Sequence, residues 1–325
     1  MALLCPVYSL QPTVVYSPIV SRCDTKKDMT GTRSGGASRE RRLGQRIAQY
    51  RLKCRIGSGG MGELFEAEHV LLGRSCAIKF IRPEYESDPE AVARFKCEFR
   101  AMAKLTHWNT VCVFDCGRTE DGAFYYVMEL LRGWSLEELV KKHGPLSPAR
   151  VVCLLRQVCD ALGEAHQKGL VHRDIKPANI FATRTGGNHD VAKLLDFGLV
   201  KYGMANGVGT SERVIDRGFS GSPLFMSPEQ STDYDKVDAR SDIYSLGAVT
   251  YFLLTGRPPF TGRDVCDVIR ARALDRVTPP SEWNPDIPAD LEQIVLLCLA
   301  KNPNDRFSDV ESVEQALGKC SRGDR

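Results

Sequence analysis

Asp174, Lys176, Asn179 and Asp196 stand close together in the stretch from Leu170 to Leu199, and between them they present two carboxylates, an ammonium and an amide. Mg2+ is a hard cation that prefers oxygen, and Asn179 and Asp196 offer it one amide oxygen and one carboxylate. Asp174, left free of the metal, is suited to accept a proton from an attacking hydroxyl. Side chains of this kind work only if the surrounding elements hold them in register.

The elements upstream read as a nucleotide cradle. Gly57, Ser58, Gly59, Gly60, Met61 and Gly62 follow an alternating stretch, Tyr50 to Ile56, that suits a half-buried strand. Glycines there let backbone amides approach phosphate oxygens without side-chain obstruction. A GxGxxG run alone also fits a dinucleotide-binding turn, which would continue into a helix and carry an acid about 20 residues on. Here Glu63 to Ala67 reads as a returning strand, followed by Lys79 in an apolar strand pattern; the chain has no GxxxxGK[ST] run, which argues against an ordinary P-loop nucleotidase. An unpaired buried ammonium costs roughly several kcal/mol, so Lys79 needs an anionic partner. Asp88 and Pro89 start a helix with Val92, Phe95, Phe99, Met102 and Leu105 at helical spacing, and Glu98 borders that apolar face.

Further on, Val111–Phe114 and Phe124–Glu129 read as strands joined by a turn at Asp121-Gly122. Ser147 and Pro148 start a long helix with Val151, Leu154, Leu155, Val158, Leu162 and Ala165 along one face and Gly169 at its end. Asp242 opens an apolar helix that ends near Gly256, and the last helix has Ser308 and Glu311 as a capping box with Gly318 beyond its end.

His172-Arg173-Asp174, with Asn179 following, and Asp196-Phe197-Gly198 resemble the catalytic loop and metal loop of serine/threonine protein kinases of the bacterial Hanks type. The roles that follow are that family's template. The resemblance implies an ATP-dependent kinase acting on Ser or Thr of proteins. Asp174 is then the base, Lys176 steadies charge on the γ-phosphate, and Asn179 and Asp196 hold Mg2+, with Mn2+ as an alternative ion. Lys79 holds the α- and β-phosphates and pairs with Glu98. Met128 becomes the gatekeeper, backbone groups of Glu129 and Leu131 bond the adenine, and Leu64, Ala77 and Phe181 sandwich it. Asp242 holds the backbone of the catalytic loop, and Arg306 pairs with Glu229.

The activation segment would run from Asp196 to Glu229, ending in Ser227-Pro228-Glu229. By the same resemblance Arg173 reads a phosphate there, with Thr210, Ser211 and Ser220 as candidate sites of autophosphorylation. No phosphorylatable residue stands in the stretch 213–217, so Asp216 is expected to substitute in part for a phosphate beside Arg173. The Ser222 hydroxyl would bond Asp174 and Lys176. Trp108, before Asn109, is expected to lie far from these roles. A scaffold of the same fold would normally lack Lys79, Asp174 or Asp196, and a small-molecule kinase would lack the Ser222 to Glu229 platform; this chain has all of them.

The implied architecture is α+β and bilobal: a small β-rich N-lobe with one helix over about 50–129, a hinge at 129–133 and a helical C-lobe over about 134–318. The kinase domain is placed at 47–320, after a disordered basic tail of residues 1–46 and before a short tail at 321–325. Of 325 residues, 42% are hydrophobic and 26% charged, an ordinary globular composition. The net charge of +3 is too small to argue for a nucleic-acid partner. Residues 1–46 hold eight Lys/Arg and three Asp/Glu, a balance of +5, which leaves −2 for the remainder. No span of the membrane is expected, and the 12 scattered cysteines, without a CxxC pair, fit reduced thiols in the cytoplasm. The expected partners are protein substrates and, for trans-autophosphorylation, a transient homodimer.

Overall fold

The computed structural model describes residues 44–59, 62–81, 99–100, 102–185, 187–196, 223–232 and 237–320. Its first layer is an antiparallel sheet of β1 (Arg46–Ile47), β2 (Tyr50–Gly59), β3 (Gly62–His69), β4 (Ser75–Ile81), β5 (Val113–Arg118) and β6 (Phe124–Glu129) in the order β1-β2-β3-β4-β6-β5. Side chains alternate across a strand, and this sorts the sheet into two faces. Phe65, Ala67, Cys76, Ile78, Phe80, Tyr125 and Val127 turn to one buried cluster. Ala77, Tyr126 and Met128 join a second cluster with Val111, against which Leu64, Phe99, Leu131 and Leu195 pack. Lys79 shares the second face, flanked in register by Leu64 on β3 and Tyr126 on β6.

The second sheet, β7 (Gly133–Ser135), β8 (Ile180–Thr185) and β9 (Asn188–Leu194), is also antiparallel. Gly133 lies so close to it that a Cβ there would meet the Ala182 carbonyl at 2.2 Å, so only glycine fits. Helices follow: α1 (Leu136–His143), α2 (Pro148–Gln167), the short α3 (Glu229–Thr232), α4 (Ala239–Thr255), α5 (Val265–Leu274), α6 (Ala289–Cys298) and α7 (Val310–Cys320). The expected apolar face of α2 is buried throughout, and it packs with α4, α6 and α7 into the larger core.

Four local readings shift. The strand expected over Val111–Phe114 begins at Val113 and runs to Arg118, because Val111 donates instead to the Leu194 carbonyl at 3.0 Å and ties the first sheet to β9. Helix α4 opens at Ala239, since Asp238 is its cap and accepts from the Arg240 N–H. The cap of α7 is Asp309, which accepts from the Ser312 N–H at 2.7 Å; a carboxylate there displaces the expected Ser308 and Glu311 box. Gly318 lies inside α7, facing the Arg156 guanidinium, and the helix runs on to Cys320.

Candidate active site

The loop from His172 to Asn179 is fastened from behind. Asp242, fully buried, accepts the His172 N–H and the Arg173 N–H, each at 2.8 Å, and meets His166 Nε2 at 2.9 Å. His172 is equally buried: its Nε2–H donates to the Leu195 carbonyl at 2.8 Å and its Nδ1 accepts from the Asp174 N–H at 3.2 Å. A carbonyl can only accept, so these partners fix the tautomer. Burial pushes the imidazole below its ordinary value and keeps it neutral, against the pull of Asp242. Arg173 adopts φ 62, in the left-handed region that costs a non-glycine residue energy, and Gln230 Nε2 donates to its carbonyl at 2.8 Å. Removing the Asp242 carboxylate as Asp242→Ala strands two buried N–H groups, at about 1–3 kcal/mol each. A stability loss of about 2–6 kcal/mol in urea unfolding is therefore expected.

So held, the loop gathers Asp174, Lys176 and Asn179. Asp174 Oδ2 accepts from Lys176 Nζ at 2.9 Å and from Asn179 Nδ2 at 3.1 Å, and Asn179 also donates to the Asp174 carbonyl at 2.9 Å. With its amide nitrogen occupied this way, Asn179 has its amide oxygen left as the acceptor. The Leu195 N–H donates to the Asn179 carbonyl at 2.9 Å, which brings Asp196 alongside.

Asp196 is the meeting point of both sheets. Lys79 Nζ bonds its Oδ2 at 2.5 Å, and the Tyr126 hydroxyl donates to its Oδ1 at 2.7 Å. Burial alone would raise the Asp196 carboxyl, but the Lys79 ammonium and both hydrogen bonds hold it below the usual carboxylate range. Burial, with the adjacent carboxylate, pushes the Tyr126 phenol well above its ordinary value, so it remains a donor. A quarter of the Asp196 side chain still reaches solvent, and its backbone sits at φ 41. Among the described residues no group of three His, Cys, Asp or Glu could cage a metal unaided. An amide oxygen and one accessible carboxylate nevertheless fit Mg2+, which is usually held by few protein oxygens together with substrate phosphates and water.

Of the residues singled out for adenine, Leu64, Ala77, Met128 and Leu131 share one apolar cluster. Phe181 lies apart from that cluster, on β8 in register with Ser135 and Lys193. The Glu129 N–H is taken by the Cys112 carbonyl at 2.9 Å. Gly57, Gly59 and Gly62 belong to the β2–β3 hairpin, with Gly59 opposite Gly62, and Ser58 opposes Glu63. Gly60, Met61, Glu98, Thr210, Ser211, Asp216, Ser220 and Ser222 lie outside the described residues. Trp108 is nearer the hinge than expected: it stacks over the Lys193 ammonium, 5.0 Å away, and Lys193 bonds Glu129 Oε2 at 3.1 Å.

Two contributors escaped sequence reasoning. Tyr126 was visible in principle, since it stands two residues before Met128 and a strand's alternation puts both on one face. Glu164 on α2 accepts the Thr106 and His107 N–H groups at 3.1 and 3.0 Å and so anchors the 106–107 turn, a pairing across distant sequence that no local pattern signals.

The model of the protein kinase domain matches residues 50–318. The chain belongs to the protein kinase family. It is 41% identical over 275 residues to the serine/threonine-protein kinase Pkn1 of Myxococcus xanthus, covering 85% of this chain and 38% of that one. The serine/threonine-protein kinase PknB of Mycobacterium tuberculosis is 37% identical over 281 residues, covering 85% of this chain and 43% of that one. This kinase chain therefore spans about two fifths of these curated relatives. Among solved structures, the PknI kinase domain of Mycobacterium tuberculosis is similar with a TM-score of 0.65 at 26% identity, over 85% of this chain and 97% of that one. Both sequence relatives are bacterial serine/threonine kinases, and the β-rich first lobe and helical second lobe are the kinase architecture. Among the described residues, no helix of this kinase is long and apolar enough to cross a membrane.

Proposed function

We propose that this domain transfers the γ-phosphoryl group of ATP to serine or threonine hydroxyls of proteins. The observation that carries the reading is the convergence of Lys79 with Asp196 beside the Asp174, Lys176 and Asn179 cluster. Such a site works by positioning and by electrostatic stabilisation of charge that develops during transfer.

Asp174 orients the acceptor hydroxyl and takes its proton. Lys176, already bonded to Asp174, shares its charge with the transferring group. Lys79 moves from Asp196 toward the α- and β-phosphates, with Glu98 as its partner. Asn179 and Asp196 hold Mg2+, which when bound neutralises phosphate charge. Leu64, Ala77, Met128 and Phe181 enclose the adenine; Glu129 offers its carbonyl, because its N–H is engaged, and Leu131 adds a backbone group. The glycine hairpin from Gly57 to Gly62 closes over the phosphates. Arg173 reads the state of the 196–229 segment, through phosphate on Thr210, Ser211 or Ser220 or through Asp216, and Ser222 joins Asp174 and Lys176 when substrate docks. The kinase domain occupies 47–320 together with the last residues of the basic tail, since Gly44, Gln45 and Arg46 already pair with β2. The substrates are proteins, autophosphorylation passes through a transient homodimer, and the site of action is the cytoplasm.

The test of hydroxyl class is phosphoamino-acid analysis after incubation with γ-labelled ATP, Mg2+ and a generic basic protein. Label on serine or threonine supports the reading. Label confined to tyrosine, or to a small molecule, contradicts it.

A further inference from the structure

We propose that Tyr126 is a positioning residue for the metal-holding carboxylate: its hydroxyl fixes the plane of Asp196 and thereby sets the affinity of the site for the divalent cation. The inference rests on the kinase reading above and adds to it a residue outside that template.

Three observations carry it. The hydroxyl donates to Oδ1 at 2.7 Å while Lys79 occupies Oδ2, so the two oxygens of Asp196 are addressed by different partners. Each carboxylate oxygen has two lone pairs, so a hydrogen bond to Oδ1 leaves room for a cation at the same group. The terminal torsion of an aspartate is broad, and without a second partner Lys79 alone would govern it. That matters more here because Asp196 leaves β9 behind and sits at φ 41, outside regular structure.

Tyr126 is itself firmly placed. It is buried on β6, its register partner on β4 is Lys79, its ring lies 6.4 Å from that of Phe99, and the Lys79 ammonium stands 5.7 Å from the ring centroid. The hydroxyl is thus delivered by a sheet and not by a loop. When Lys79 turns to the nucleotide phosphates, Tyr126 remains as the fixed donor to Asp196. Partners of this kind orient a metal ligand, and their removal typically weakens metal affinity by about 10–100-fold.

Tyr126→Phe removes the hydroxyl and keeps the ring. The readout is uptake of Mn2+ by the ADP-bound protein, followed by electron paramagnetic resonance of the free ion, beside ADP binding in chelator without metal. The variant is expected to need about 10-fold more Mn2+ or greater for half-saturation, with metal-free ADP affinity unchanged. Excess Mg2+ should restore kcat, so the defect appears in metal dependence and not in maximal rate. Coincident Mn2+ curves for wild type and Tyr126→Phe, or tighter uptake by the variant, would overturn the inference and reduce the bond to satisfaction of a buried phenol. Absence of ADP-dependent Mn2+ uptake by wild type would overturn the kinase reading as well, which separates the two failures.

Discussion

Asp174→Asn is expected to lower kcat by about 10²–10⁴-fold, the usual contribution of a positioned acid or base, with nucleotide affinity unchanged. The substitution is nearly isosteric. An amide oxygen turned toward Lys176 and Asn179 can keep both hydrogen bonds that Asp174 Oδ2 now accepts, at 2.9 and 3.1 Å. What it loses is the ability to take a proton. The loop should persist, because its support comes from Asp242 and His172 and not from the Asp174 carboxylate. Initial rates at saturating ATP, with calorimetric titration of ADP, separate these effects. Full activity in the variant would remove Asp174 from the chemistry, and loss of ADP binding would assign it to the nucleotide site.

A large loss of stability is expected from Arg306→Met. Arg306, fully enclosed, donates to both oxygens of Glu229 at 2.7 and 2.9 Å and also to the carbonyls of Arg240, Ala300 and Lys301. Removing the guanidinium leaves a buried carboxylate whose remaining hydrogen bonds come from the Ser241 hydroxyl, at 2.6 Å, and its own backbone N–H, both neutral donors. Breaking one side of such a pair costs about 3–5 kcal/mol, readable as a lower urea midpoint at pH 7.

The same pair carries a pH signature. Burial would raise the Glu229 carboxyl, but Arg306 and Ser241 hold it at about 2, against 4.5 unperturbed. The folded value lies below the unfolded one, so its stabilisation is present above about pH 4.5 and is lost as pH falls from there toward 2. In Arg306→Met the partner is gone, burial raises the carboxyl, and protonation then favours the folded state. The stability difference between wild type and variant should therefore narrow on acidification below pH 4.5. A difference that stays constant across that range would mean that Glu229 does not feel Arg306.

Much of this was legible in the sequence because the relevant signals are local. The catalytic-loop spacing is short, so Asp174, Lys176 and Asn179 could only be neighbours; the apolar period of α2 follows directly from helical geometry. The Asp242 and Arg306 contacts cross long stretches of chain, and family resemblance supplied what no periodicity could. Helix starts were read less well where two cap-forming residues stand close together, as Ser308 and Asp309 do, and the carboxylate won. Tyr126 was passed over because a tyrosine inside FYYVMEL reads as core. Its hydroxyl gains a meaning only when β4 and β6 are set in register and Asp196 arrives from below.

The most direct test of the central claim is the transfer itself: wild type and Asp174→Asn incubated in parallel with γ-labelled ATP and Mg2+, with phosphosites mapped by mass spectrometry. The account predicts label on serine or threonine of the wild-type chain, with sites in the 210–222 stretch, and its loss in the variant. A wild type that binds ATP and transfers nothing to itself or to any protein offered would contradict it, and equal labelling of both proteins would contradict the role given to Asp174.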